Sequence, residues 1–168
     1  MNLPKRKNNR LRNYNYGEVG YYFVTLCTQN RMQLFEIETP TVGNDLCVVP
    51  PVSNQIVHKW LKEMENKFCN ITIENYVIMP DHLHLIIHIS ERHTGRSLPD
   101  AMRFFKTMST NEYIHNVKNN ILPPFQNRLW QKSYYDHIIR NQSDYNEIWE
   151  YIENNPAKWL EIYEAKTD

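Results

Sequence analysis

Residues 71–90 read ITIENYVIMPDHLHLIIHIS, and this stretch decides the fold. Two runs rich in β-branched and aliphatic residues flank Pro80-Asp81, a pair that favours a tight turn. The stretch therefore predicts a β-hairpin whose second arm begins at His82. Alternate side chains of a strand point to opposite faces, so His82 and His84 share one face and the leucines share the other.

The sequence on either side of this hairpin predicts further strands and helices. Residues 20–30, GYYFVTLCTQN, are aromatic and β-branched and predict a strand. Residues 53–68 predict a helix that begins at a serine cap, and residues 97–117 predict a second helix with a proline in its first turn. Residues 129–141, LWQKSYYDHIIRN, predict another strand.

A last helix is predicted over SDYNEIWEYIENNP and should end near Asn155, because the residue before a proline disfavours α geometry. The complete order is β-α-β-β-α-β-α. This order predicts an α+β, ferredoxin-like split βαβ fold, in which an antiparallel sheet carries helices on one face and an added C-terminal helix. We expect one domain over residues 1–168, with residues 1–17 as a basic N-terminal arm.

Composition narrows the class of protein. The chain has 168 residues, of which 41% are apolar and 23% charged, as in globular proteins. It contains no apolar run near the ~20 residues of a membrane span and no secretion signal at its start, so we expect a cytoplasmic protein without a membrane partner. Its cysteines, Cys27, Cys47 and Cys69, fit neither a disulfide framework nor a CxxC zinc site.

The histidine pair is the first candidate site. His82 and His84 should lie roughly 6–7 Å apart at their Cα atoms, close enough to share one metal ion. Packing in the core is the alternative for both residues. His88, at the next position but one along the same face, is too far from His82 to share a metal easily and is expected to be peripheral.

Five blocks of sequence carry a family resemblance: GYYFVTLCTQNRMQLF, YVIMPDHLHLIIHI, FFKTMSTNEY, LWQKSYYDHIIRN and DYNEIWEYIENNP. Their order and spacing closely resemble those of single-tyrosine HUH transposases, in particular the REP-associated tyrosine transposases. The resemblance implies metal-dependent cleavage and rejoining of single-stranded DNA near a hairpin, through a 5′-phosphotyrosine intermediate. It also implies that His82 and His84 hold Mg²⁺ or Mn²⁺.

The resemblance also assigns residues on the last helix. Tyr151 matches the nucleophile, and Asn155, one turn later, matches the third metal ligand. A core aromatic is the alternative for Tyr151, since isoleucines bracket it. The next candidates for the nucleophile are Tyr145, Tyr134 and Tyr135.

Other residues are expected to support the site or to bind DNA. His137, Asp81 and Arg140 would orient the ligands or contact the phosphate. DNA contacts are expected from Arg6, Arg10 and Arg12 in the arm, from Arg103 and Lys106 on the second predicted helix, and from stacking on Tyr14, Tyr16 or Trp130. The expected partner is single-stranded DNA with a hairpin, bound near the nucleoid by a monomer or a homodimer.

The sequence is also compatible with a second function. The formal net charge is zero, with 19 basic and 19 acidic residues, whereas free-standing DNA enzymes are often basic. The chain is therefore also compatible with a domesticated nucleic-acid-binding module without chemistry. A protein with a structural metal site is a third reading, which the spacing of Tyr151 and Asn155 disfavours.

Overall fold

The fold was analysed in a computed structural model that describes residues 18–37, 50–91 and 97–164. The predicted basic arm, with Arg6, Arg10, Arg12, Tyr14 and Tyr16, lies outside these residues. In chain order the elements are β1 (Gly20–Cys27), α1 (Val52–Lys67), β2 (Ile71–Met79), β3 (His82–Ile89), α2 (Leu98–Lys118), β4 (Tyr135–Ile139) and α3 (Gln142–Glu164).

The four strands form one antiparallel sheet in the order β2-β3-β1-β4. The predicted hairpin is the β2-β3 pair, and β3 lies between β2 and β1. This topology confirms the predicted α+β fold with a ferredoxin-like strand order. Along the β1-β3 pair, Cys27 lies opposite His82 and Thr25 lies opposite His84.

Helices cover both faces of the sheet. On one face α1 and α2 bury the larger core, to which β1 contributes Val24 and Leu26 and β3 contributes Leu83 and Leu85. On the opposite face α3 covers a smaller core of four buried side chains, Phe23, Ile86, Ile139 and Ile152. Alternation along the strands puts the histidine pair on this second face, so the added helix lies over the candidate site.

The predicted end of the last helix is wrong. Instead of ending near Asn155, α3 continues through Pro156 to Glu164. A proline inside a helix lacks the N–H that would bond to the carbonyl of residue 152, which usually kinks or breaks the helix. Here the chain beyond Pro156 is anchored by Trp159, whose ring lies 5.7 Å from the ring of His82.

The start of α3 also differs in detail from its prediction. The side-chain oxygen of Asn141 accepts a hydrogen bond of 2.9 Å from the backbone N–H of Asp144, so Asn141 caps the helix two residues before Ser143, the first residue of the predicted helix. Helix α3 therefore runs along most of the histidine face, from the end of β4 to beyond Pro156.

The last strand is shorter than its prediction. Residues 129–134 precede β4, and Trp130 makes only an isolated bridge to Thr28. The indole of Trp130 is buried, stacks on Phe35 at 5.3 Å and donates a 2.9 Å hydrogen bond to Ser109. Because it is a core residue, Trp130 is not a platform for DNA bases, and that expectation is wrong.

In the described part of the chain, no helix combines the length and apolar character needed to cross a membrane.

Candidate active site

The histidine pair stands at the hairpin end of β3. His82 and His84 are both buried, and their ring centroids are 4.6 Å apart with an interplanar angle of 78°. Two neighbouring imidazoles on one strand face can direct nitrogens at one point. The predicted pairing of these side chains on a single face is therefore present in the fold.

Asp81 sets the orientation of His82. Its carboxylate oxygen Oδ1 lies 2.5 Å from Nδ1 of His82. An ionised carboxylate can only accept, so Nδ1 carries the ring proton and donates, which leaves the Nε2 lone pair of His82 available to a metal. Arg31, whose Nη1 is 3.4 Å from the same carboxylate, completes a chain of three groups.

Thr25 holds the second imidazole. Its Oγ1 lies 2.8 Å from Nδ1 of His84, directly across the β1-β3 pair. Phe23, two residues earlier on β1, stacks on the same ring at a centroid distance of 5.3 Å. With Nδ1 bonded to the hydroxyl, Nε2 of His84 is the nitrogen that faces α3.

Both imidazoles are held neutral. Burial, with smaller contributions from the nearby His82 and Arg31, lowers the pKa of His84 to about 3. Burial also lowers the pKa of His82, although the hydrogen bond to Asp81 works against the shift. A metal binds only the neutral imidazole, so the fold keeps this pair ready to act as ligands near neutral pH.

Tyr151 meets the pair from α3. Its hydroxyl oxygen is 3.3 Å from Nε2 of His84, and its ring stands edge-on to Phe23 at 6.0 Å. The side chain remains 43% exposed, whereas the adjacent Ile152 is buried in the smaller core. The core alternative for Tyr151 is therefore wrong.

The other candidate tyrosines differ from Tyr151 in their contacts, although Tyr135 shares the sheet face of the pair through its pairing with Thr25. Tyr134 is buried in the larger core on the opposite face, and Tyr145 packs edge-on against Tyr21. Tyr135 is exposed on β4, an edge strand of the sheet. Within the described ranges, none of the three makes a hydrogen bond or ring contact with either histidine.

Asn155 follows Tyr151 by one turn of α3 and is buried. Among the described residues its side chain makes no hydrogen bond, and its amide is not one of the fully buried polar groups that lack a partner, so it is free to bind without losing a protein contact. No group of three or more His, Cys, Asp or Glu side chains in the described ranges is placed to hold a metal ion. The candidate donors are therefore two imidazole nitrogens and, from Asn155, one amide oxygen.

The predicted supporting residues His137 and Arg140 are not brought to the histidine pair. His137 shares its face but pairs with Asp144, whose carboxylate is 2.9 Å from its Nε2. Arg140 is exposed at the junction of β4 and α3. His88 lies farther along the same face as the pair, stacked on Tyr21 at 4.3 Å.

Two of the predicted DNA contacts lie on α2, which packs on the opposite face of the sheet. Arg103 is exposed and is bonded to Asp100 of the same helix. Lys106 donates to the carbonyl oxygens of Gln131 and Lys132 at 2.5 and 3.0 Å. The structure thus separates these side chains from the histidine pair.

Three residues near the pair were missed from the sequence: Thr25, Arg31 and Trp159. Thr25 meets His84 through the register of β1 against β3, and Arg31 meets Asp81 from the turn after β1; a single sequence displays neither contact. Trp159 was missed because α3 was expected to end before it. The spacing of Tyr151, Asn155 and Trp159, four residues each time, was the available signal.

Comparison with known proteins identifies the family. Residues 20–155 match the family model described as "Transposase IS200 like". This match spans most of the chain, and the protein belongs to the IS200-like transposase family.

Two relatives come from Haemophilus influenzae. One, named only as an uncharacterized protein, is 31% identical over 169 residues, covering 94% of this chain and 91% of the relative. The other, proposed to be a REP-associated tyrosine transposase, is 27% identical over 84 residues, covering 48% of this chain and 47% of the relative.

Two solved structures share the fold. A REP-associated tyrosine transposase bound to a REP hairpin aligns with a TM-score of 0.58 at 21% identity, over 94% of this chain and 74% of that one. A Deinococcus radiodurans protein proposed to be a transposase aligns with a TM-score of 0.52 at 21% identity, over 86% of this chain and 95% of that one.

Proposed function

We propose that this protein cleaves and rejoins single-stranded DNA beside a hairpin, with Tyr151 as the nucleophile and a divalent metal as cofactor. The observation that carries the proposal is the 3.3 Å approach of the Tyr151 hydroxyl to Nε2 of His84, which joins residues 67 positions apart. Membership of the IS200-like transposase family supports the same chemistry.

In this reaction the phenolic oxygen of Tyr151 forms a bond to the phosphorus, and the bond from phosphorus to the 3′-oxygen breaks. The electron pair of the broken bond stays on the 3′-oxygen, and the phenol proton reaches that oxygen through solvent. The products are a 5′-phosphotyrosine and a free 3′-hydroxyl. The reverse reaction with another 3′-hydroxyl rejoins DNA without ATP, since the phosphodiester energy is kept in the covalent bond.

The donor set fits a divalent cation. His82 and His84 would hold it through their Nε2 atoms, and Asn155 would add an amide oxygen, with Mg²⁺ or Mn²⁺ as the expected ion. When bound, the ion would polarise the scissile phosphate and stabilise the charge that develops on it. Asp81 would keep His82 in the tautomer that this binding requires, and Thr25 would hold the ring of His84 in place.

The proposed partner is a DNA hairpin with a single-stranded flank. The similar fold of a REP-associated tyrosine transposase, which is bound to a REP hairpin, supports this choice. Several further points remain predictions. They are DNA contacts from Arg6, Arg10, Arg12, Arg103 and Lys106, and supporting roles for His137 and Arg140. A cytoplasmic location at the nucleoid and action as a monomer or a homodimer are predictions as well.

The test is an adduct assay with hairpin oligonucleotides taken from DNA that flanks the gene. Wild-type protein with Mn²⁺ should give a covalent protein–DNA band when the DNA is labelled on the 3′ side of the nick, and Tyr151→Phe should abolish the band. Tyr145→Phe, on the same helix, is the matched control and should retain it. An adduct that persists in Tyr151→Phe would place the nucleophile elsewhere.

The alternative function, a binding module without chemistry, predicts a different result. Such a module would bind the same oligonucleotides with an affinity that is indifferent to chelator and would form no adduct under any metal. His82→Ala would then leave every measured property except stability unchanged. For the enzyme, His82→Ala should remove cleavage while fluorescence anisotropy still reports DNA binding.

A further inference from the structure

Trp159 stands beside the histidine pair without an assigned role. It lies two turns after Tyr151 on α3, and its ring centroid is 5.7 Å from that of His82 at an angle of 51°. Tyr151 makes the corresponding contact with His84, at 5.2 Å. One helix therefore places an aromatic ring beside each of the two imidazoles.

Packing does not account for this tryptophan. Trp159 is half-buried and belongs to neither of the two hydrophobic cores formed by the described residues. A partly open aromatic ring beside a candidate site offers a flat apolar surface on which a ligand can stack.

The indole N–H gives a second, independent indication. Trp60, Trp130 and Trp149 donate their N–H groups to Glu112, Ser109 and Glu153 at 2.6, 2.9 and 2.7 Å. Trp159 differs from all three, because its N–H has no acceptor among the residues that the structure describes. Both the ring surface and the donor of Trp159 remain available to a bound molecule.

We propose that Trp159 is a positioning residue that stacks on an unpaired DNA base next to the scissile phosphate. This inference rests on the proposed function and specifies the feature of the substrate, an unpaired base, that the site would bind. Every base has a π-face, so the contact suits any single-stranded sequence, and it requires that the base be unpaired. A base held over Trp159 would fix which phosphate lies beside His82 and Tyr151.

Trp159 lies close enough to the candidate site to make this contact because α3 continues through Pro156. A helix that ended at Asn155 would carry the nucleophile and the amide but no ring beyond them. Continuation to Glu164 adds the turn that brings Trp159 against His82. The stacking residue, the amide and the nucleophile thus recur at intervals of four residues along one face of α3.

Binding of uncleaved DNA gives the test. Hairpin oligonucleotides with a single-stranded flank are titrated against full-length Tyr151→Phe protein, and each flank position in turn carries an abasic site. Loss of one base, at the position over Trp159, should weaken binding about fivefold to a hundredfold. Adding Trp159→Leu should weaken binding of the intact flank by a similar factor and leave the abasic oligonucleotide unchanged. Trp159→Phe should keep part of the discrimination.

Trp149→Leu, which removes an indole from the same helix, is the matched control and should keep the full abasic penalty. The proposal is overturned if Trp159→Leu weakens all oligonucleotides equally, because Trp159 would then only pack against His82. It is also overturned if Trp159→Leu has no effect or if the flank is not bound. Since no cleavage is measured, an abasic penalty that depends on Trp159 would stand even if the adduct assay failed.

Discussion

A single carboxylate, that of Asp81, determines which nitrogen of His82 points away from the strand. It lies between the imidazole, at 2.5 Å, and the guanidinium of Arg31, at 3.4 Å. Both partners are fixed by short stretches of backbone, because Asp81 directly precedes His82 and Arg31 belongs to the turn after β1. The orienting carboxylate of Asp81 and the candidate ligand His82 are therefore adjacent residues at the same hairpin turn.

Asp81→Asn should weaken metal binding by about tenfold to a hundredfold, the usual effect of losing a carboxylate behind a histidine ligand. The amide keeps the shape of the side chain but removes the charge that holds the Nδ1 proton. The measurement is a Mn²⁺ titration by calorimetry. Glu74→Gln, which removes the carboxylate near His88, is the matched control and should leave the affinity unchanged. An unaltered affinity in Asp81→Asn would show that Asp81 does not orient a ligand.

The neutral state of His84 predicts acid sensitivity in metal-free protein. His84 should titrate near 6.5 in the unfolded chain, whereas its folded pKa is about 3. Between these values the unfolded state binds more protons, so the free energy of unfolding should fall as the pH falls from about 6.5 towards 3. The loss should approach the order of 1 kcal/mol per pH unit in that interval.

Urea unfolding with EDTA at several pH values measures this slope. His84→Gln should flatten it, because the glutamine cannot take up the proton. His88→Gln is the control, since His88 lies on the same strand face and is only half-buried. A slope that survives in His84→Gln would assign the acid sensitivity to other groups.

At the scale of elements, α3 is the segment in which local rules and tertiary structure disagree. Local propensity ends this helix before Pro156, and the structure continues it to Glu164. The unpaired carbonyl of residue 152 is a local cost, offset in part by the contact of Trp159 with His82. Pro156 therefore lowers the stability of α3, the helix that carries Tyr151 and Asn155 of the candidate site.

Pro156→Ala should raise the free energy of unfolding by about 1–2 kcal/mol, because the restored N–H outweighs the greater freedom of the unfolded chain. Chemical denaturation measures the change. Ala157→Gly, at the next position, is the matched control and should lower stability by about 1 kcal/mol. If Pro156→Ala were destabilising, the proline itself would be needed for the packing of α3 on the sheet.

The sequence predicts the features that depend on neighbouring residues and misses those that depend on residues far apart in the chain. The β2-β3 hairpin and the alternation of His82 and His84 against the leucines are local and were predicted. The partners Thr25 and Arg31 depend on strand register, which is a property of the pairing rather than of either strand. The length of β4 and the burial of Trp130 also depend on distant residues, namely Thr28, Phe35 and Ser109.

At the scale of the whole molecule, the sheet separates a large core from a small one. The face covered by α1 and α2 holds most of the buried apolar side chains, and the α3 face holds four. Burial of apolar area is the main source of folding stability, so the two layers are unequal in strength. The candidate chemistry lies in the weaker layer.

Because the two apolar layers differ in strength, we expect backbone amides in different elements to exchange with solvent at different rates. The amides of α3 should exchange through a local opening of lower free energy than those of β1 and β3, which both layers bury. Ile152→Ala should lower the protection of α3 selectively, whereas Phe105→Ala, in the larger core, should lower it throughout. Mass spectrometry of exchange in native buffer measures both. Equal protection of α3 and the central strands would show that the layers unfold as one unit.

The exposed position of Tyr151, outside both cores, has a consequence for inheritance. A gene that acquires Tyr151→Phe would still encode a chain that folds, because that hydroxyl supports no core packing. If the proposed function holds, such a copy would occupy the same hairpins without cutting them and would compete with active copies in the cell. On that function, one point mutation would turn the enzyme into its own dominant inhibitor.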